Sequence, residues 1–237
     1  MSSQNQKVAV ITGASQGIGA GLVAGYRKLG YAVVATSRGI GESPDPEVLA
    51  VPGDLADPAT AERVIAAGVS RFGRIDTLVN NAGVFIAKPF TDYTQEDYDS
   101  VIGVNLTGFF HITQLVIPHL FAQGGGHIVQ VTTSLVDHAM SSVNAALASL
   151  TKGGLQSVTK ALAIEYATRG IRANAVSLGI IKTPMHVEEH YEFLGALHPV
   201  GRMGEVDDVV GAVIYLESAP FVTGEILHVD GGQSAGH

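Results

Sequence analysis

Thr12-Gly13-Ala14-Ser15-Gln16-Gly17-Ile18-Gly19 decides how the chain folds. It ends an apolar β-branched run over 7–12 and opens a helical pattern over 17–29. Glycines at these spacings let the backbone turn sharply and approach a pyrophosphate closely. The helix start then offers free N–H groups at the positive end of its dipole. The spacing is GxxxGxG rather than GxGxxG, but its place between strand and helix reads as a nucleotide-binding turn.

Outward from that turn the same alternation continues. Segments 32–36, 75–80, 127–132 and 172–177 read as strands, and 58–72, 95–122 and 149–168 as helices. The strands are nearly all apolar, as burial on both faces requires. Strand–helix alternation with right-handed crossovers predicts one α/β domain over 1–237, a doubly wound Rossmann-like parallel sheet of about seven strands. Two segments break the rhythm. Pro44 and Pro46 make 39–52 too proline-rich for a helix, so the second crossover is expected to be a loop. Segment 183–204 carries prolines, glycines, three histidines and Tyr191, and is read as a mobile lid over a site.

Composition narrows the function. Hydrophobic residues make up 46% of the 237 positions and charged residues 15%, enough apolar material for a large core. A net charge of −8 argues against nucleic acid, which wants a basic face. With no cysteine there is no disulfide or thiolate chemistry to consider. The polar start, Met1 to Lys7, lacks the pattern of a signal peptide, and no stretch reads as a bilayer span. A soluble cytoplasmic protein with neither a nucleic-acid nor a membrane partner is expected. At the end of the second strand stand Thr36, Ser37 and Arg38, with no carboxylate. A guanidinium can pair with a 2′-phosphate where a carboxylate would repel it, so NADP(H) is favoured over NAD(H).

Several spaced motifs together resemble the short-chain dehydrogenase/reductases over nearly the whole chain. They are the TGxxxGxG turn, Asp54-Leu55, Asn80-Asn81-Ala82-Gly83, Asn105, Lys152-Gly153-Gly154-Leu155, Thr183 and the closing 224–232. The resemblance implies hydride transfer at a nicotinamide coupled to proton transfer at a substrate oxygen. It implies cofactor contacts from Gly13, Ser15, Gln16, Gly17, Ile18, Gly19, Ser37, Arg38, Asp54, Leu55, Asn81, Ala82 and Gly83. Lys152, Gly179, Ile181 and Thr183 complete that set, and Asn105 is the expected active-site asparagine. It also implies a symmetric homodimer or homotetramer built on helices 95–122 and 149–168.

The departures carry as much information. The family's tyrosine falls four residues before the lysine, and here that residue is Ala148. A methyl group has no proton to give. The hydroxyl that orients the substrate is read as Thr133, counted from the strand, or its neighbour Ser134. Leu178-Gly179 stands where the family usually has Pro-Gly. Replacement proton donors are sought in His138, in His186, His190 and Tyr191 of the lid, or in a water chain through Asn105 and Lys152. His186 and His190 are four apart, but the surrounding residues give no metal-site pattern, so no metal is expected. The leading function is an NADP(H)-dependent oxidoreductase of small carbonyls and alcohols with an atypical proton donor. The competing ones are a non-catalytic nucleotide-binding homologue and a different reaction on the same scaffold.

Overall fold

The computed structural model describes residues 6–236, so most of the polar start lies outside the described residues. Seven parallel strands form one sheet in the order β3-β2-β1-β4-β5-β6-β7. They are β1 Val8–Thr12, β2 Ala32–Ser37, β3 Val48–Pro52, β4 Thr77–Asn80, β5 Gly126–Thr133, β6 Ile171–Leu178 and β7 Ile226–Val229. The chain builds outward in one direction from β1 and in the other from β4. The order therefore reverses between those two strands, opening a crevice at their C-terminal ends. The glycine turn after β1 and the Asn81-Ala82-Gly83 segment after β4 face each other across it.

Alternation along each strand divides the core into two layers. Val10, Val34, Leu78 and Ile128 pack with residues of α2 Pro58–Phe72, α4 Phe109–Ala122 and α5 Ala146–Tyr166. Ala9, Ile11, Val33, Val79 and Val129 face α1 Gly17–Lys28 and α7 Val206–Ser218, which supply Leu22, Tyr26, Val209 and Val213. This is the doubly wound sheet the alternation predicts.

Three local features differ from the sequence reading. The second crossover has no helix, as expected, but 48–52 leaves the loop to form edge strand β3. The segment 95–122 is three pieces: α3 Gln95–Ile102, a π-helical turn Gly103–Gly108, and α4. Contrary to expectation, Gln95–Ala122 is long enough to cross a membrane and contains an 18-residue window apolar enough to do so, with mean hydropathy 1.5. Ile112, Val116 and Leu120 point into the core instead, and the hydropathy reflects that face. The segment 183–204 contains a short helix, α6 Tyr191–Ala196, which packs above the crevice.

Candidate active site and cofactor cleft

The glycine turn is built so that no side chain could replace its hydrogens. Gly13 has φ of +65°, and a Cβ there would lie 2.8 Å from the Ala82 Cα. Gly19 faces the Gly13 carbonyl so closely that a Cβ would collide with it. The Asn81 amide donates to the carbonyls of Thr12 (2.8 Å) and Gly13 (3.1 Å). The Thr12 hydroxyl accepts from the backbone N–H groups of Asn81 and Ala82 at 3.0 and 2.9 Å. Two sequence motifs thus brace each other across the switch point. The α1 N-terminus has no side-chain cap from Gln16, which leaves its N–H groups for an anion.

A cavity of about 780 Å³ runs from this turn to the lid. Its walls include Gly13, Ser15, Gln16, Gly17, Ile18, Gly19, Ser37, Arg38, Asp54, Leu55, Asn81, Ala82 and Gly83. Lys152, Gly179, Ile181 and Thr183 also line it, so every expected cofactor residue meets in one space. At the Arg38 end of the cavity the Ser37 hydroxyl is buried in the wall with no hydrogen-bond partner among the described residues. A buried polar atom without a partner is costly, and a ribose or its phosphate would satisfy it. The residues present therefore fit a nicotinamide dinucleotide.

At the other end lie Thr133, Ser134, Ala148 and Lys152. Ala148 and Lys152 are one helical turn apart on α5, so both face the cavity. The Lys152 ammonium donates to the Val131 carbonyl at 2.7 Å, and burial lowers its pKa to about 8. Ser134 is buried and donates to the Gln233 side chain at 2.5 Å, while the Thr133 hydroxyl accepts from Leu135 N–H at 3.3 Å. Asn105 sits in the π turn, a feature common at functional sites. Its amide donates to the Val84 carbonyl (3.0 Å) and the Thr151 hydroxyl (3.1 Å), and its oxygen accepts from Val84 N–H at 2.8 Å. Asn105 does not line the large cavity but a neighbouring one of about 10 Å³, room for a single water.

His138 and Tyr191 do not line the large cavity, whereas His186 and His190 do. Burial lowers the pKa of His186. The third lid histidine, His198, has a structural task. Its Nε2 accepts from Ile180 N–H at 2.9 Å and its Nδ1 donates to the Leu194 carbonyl at 3.0 Å, joining the lid to the loop after β6. Sequence reasoning missed Gln233, which lies beyond the last strand and matches no motif. It also missed the apolar wall of Val84, Phe85, Met140, Val143 and Leu194. Apolar residues scattered over two loops and the short α6 give no periodic signal.

A family model described as enoyl-(acyl carrier protein) reductase matches residues 13–234. A 3-oxoacyl-[acyl-carrier-protein] reductase of Thermotoga maritima is 35% identical, the match covering 95% of this chain and 97% of that one. An L-rhamnose 1-dehydrogenase (NAD(P)(+)) of Azotobacter vinelandii is 36% identical over 95% of this chain and 96% of its own. The crystal structure of a 3-ketoacyl-(acyl-carrier-protein) reductase from Brucella melitensis complexed with NADH superposes with a TM-score of 0.90. It is 34% identical and the match covers 98% of this chain and 100% of that one. With the glycine turn, the Asn81 brace and the buried lysine already in place, these matches make the chain a member of the short-chain dehydrogenase/reductase family, an oxidoreductase family whose relatives here bind nicotinamide cofactors.

Proposed function

We propose that the protein is an NADP(H)-dependent oxidoreductase that interconverts a small carbonyl and the corresponding alcohol, drawing its proton from a group other than tyrosine. The single observation that carries this reading is the convergence of Lys152, Ser134 and the complete set of expected cofactor residues on one cavity. The nicotinamide supplies or takes the hydride when bound. Arg38, beside the Ser37 hydroxyl in the cavity wall, holds a 2′-phosphate, which favours NADP(H). The apolar wall suits an apolar substrate better than a sugar such as that of the rhamnose dehydrogenase.

Ala148 stands at the tyrosine position of the family pattern and leaves the proton to another group. Burial lowers the pKa of His186, which makes it a poorer source of a proton near pH 7. Lys152, with its pKa about 8, is protonated at neutral pH yet weakly enough to release the proton. Lys152 is therefore the donor in this reading, and the amine recovers its proton from solvent. The lid over 183–204 closes the substrate end. Exposed Phe110, Leu150 and Ile164 on α4 and α5 supply an apolar face for a symmetric homodimer or homotetramer, and the cytoplasm is the expected location.

A second reading, a nucleotide-binding homologue without turnover, draws on the Ala148 methyl alone. NADPH oxidation, with NADH alongside, over small apolar ketones and diketones separates the two, using Lys152→Ala as control. Turnover that vanishes in the control is expected. Bound NADPH with no turnover of any ketone would leave only the second reading.

A further inference from the structure

Gln233 is nearly inaccessible and touches three things at once. Its Oε1 lies 2.5 Å from the Ser134 hydroxyl, and its Nε2 lies 3.2 Å from the Met140 sulfur and 3.3 Å from the Leu197 carbonyl. The turn after β7 puts it there. Asp230 accepts from Gly232 N–H at 3.0 Å and Ser234 N–H at 2.8 Å, and Gly231 and Gly232 take φ of +60° and +89°. These contacts fix which way the amide points. The Leu197 carbonyl can only accept, so the NH₂ must face it, and Oε1 is left for Ser134. Ser134 has one proton, and Oε1 can only accept it. The hydroxyl is thus a donor to Gln233 and presents lone pairs to the cavity it lines.

We propose that Gln233 is a positioning residue that commits the Ser134 proton away from the cavity, so that Ser134 meets the substrate as an acceptor and selects the hydroxyl of an alcohol over a carbonyl. The inference rests on the oxidoreductase reading for the identity of the ligand, but not for the geometry. Leu197 follows α6 directly, so the lid is what holds the amide in this orientation. Lifting the lid frees the NH₂, lets the amide turn, and returns the Ser134 proton to the cavity for a carbonyl oxygen. One side chain thereby links lid position to the direction of the hydrogen bond at the reacting oxygen.

Equilibrium binding to the NADP⁺-saturated protein tests this without turnover. The probes are 1-methylcyclohexanol, which has no hydride to give, and cyclohexanone, which NADP⁺ cannot reduce. Titration calorimetry should find the alcohol bound more tightly by wild type. In Gln233→Met, which keeps the bulk but neither polar contact, the alcohol should weaken by about tenfold, the worth of one hydrogen bond, while the ketone tightens. Gln233→Glu keeps an acceptor for Ser134 and should keep the alcohol preference. Hydrogen exchange of 191–198 should quicken in both variants, because neither can donate to Leu197. Equal weakening of both probes in Gln233→Met marks a merely structural residue and overturns the proposal. So does a wild type that fails to prefer the alcohol, or lid exchange that is unchanged in both variants. Failure of the oxidoreductase reading would show separately, as absence of NADPH turnover with every ketone while these binding and exchange comparisons still stand.

Discussion

At the scale of single residues, the alanine at 148 is the feature with the largest chemical consequence. Its methyl is buried against the cavity one turn from Lys152, so a phenol introduced there would enter the cavity near the Lys152 ammonium. Positioned acid–base catalysis is worth about 10²–10⁴-fold, and an alanine forgoes it unless another group substitutes. Ala148→Tyr should therefore raise kcat for ketone reduction by about tenfold or more, measured by NADPH oxidation. In the unaltered protein the rate should fall as pH rises through about 8, where Lys152 loses its proton, and the variant should move that limb. A rate in the unaltered protein that does not fall through about pH 8 would remove Lys152 from the role of donor. Arg38 is exposed beside the buried Ser37 hydroxyl, which has no partner among the described residues. Arg38→Asp should weaken NADPH relative to NADH by about tenfold, the loss of a charge-assisted hydrogen bond, and fluorescence titration with both cofactors reads it directly.

At the scale of elements, packing explains both what the sequence disclosed and what it hid. The helix over 58–72 was readable to the residue, because Asp57 caps it, Pro58 starts it and Gly73, at φ +79°, ends it. The final helix, α7, escaped because after Asp207 and Asp208 its residues run apolar without a break from Val209 to Leu216, which masks the 3.6-residue period. Edge strand β3 escaped because prolines and polar residues surround it and all but its last residue are only half buried. The cavity-lining residues of the glycine turn and of Asn81-Ala82-Gly83 were legible because they belong to spaced motifs with a backbone reason. Asn105 was legible too, but not the π turn that holds it, since the extra backbone turn leaves no composition signal. The α1–α7 contact is specific in a testable way. A Cβ on Gly25 would lie 2.7 Å from Val210 Cγ1, so the two helices touch through a missing side chain. Alanine gains about 1 kcal/mol in helix propensity, but overpacking costs about 1–3 kcal/mol. Gly25→Ala should therefore be destabilised on balance, by about 1 kcal/mol, in urea unfolding. A gain in stability would mean that the helices can separate at little cost.

At the scale of the whole molecule, the end of the sheet opposite the cofactor is held by one buried carboxylate that no motif announced. Glu217, on α7, accepts hydrogen bonds from Tyr26 (3.0 Å), Tyr31 (2.9 Å), Thr77 (3.1 Å) and His127 (2.9 Å), residues that span α1, β4 and β5. Their positions are up to 191 residues apart, which is why no local pattern could reveal them. Asn174 fixes the proton count. Its oxygen accepts from Glu225 N–H at 3.0 Å, so its NH₂ donates to the Val222 carbonyl and to His127 Nε2. His127 is therefore neutral with its proton on Nδ1, and burial lowers its pKa accordingly. Burial alone would raise the Glu217 pKa, but the donors from His127, Tyr31 and Tyr26 outweigh it and hold the carboxyl at about 2. Both shifts have the same sign for stability. Below about pH 6.5 the unfolded chain protonates His127 and the folded chain does not, so stability falls as pH drops. Below about 4.5 the unfolded chain also takes a proton at Glu217, and the loss steepens toward pH 2. Removing the charge while keeping the shape, in Glu217→Gln, leaves His127 and the tyrosines with a poorer acceptor and should cost about 3 kcal/mol at pH 7. The same variant should flatten the limb below pH 4.5, because that proton no longer distinguishes folded from unfolded chain. Urea unfolding from pH 8 down to pH 3 decides the matter. A variant with the same acid limb as the wild type would place the acid-sensitive group elsewhere in the molecule.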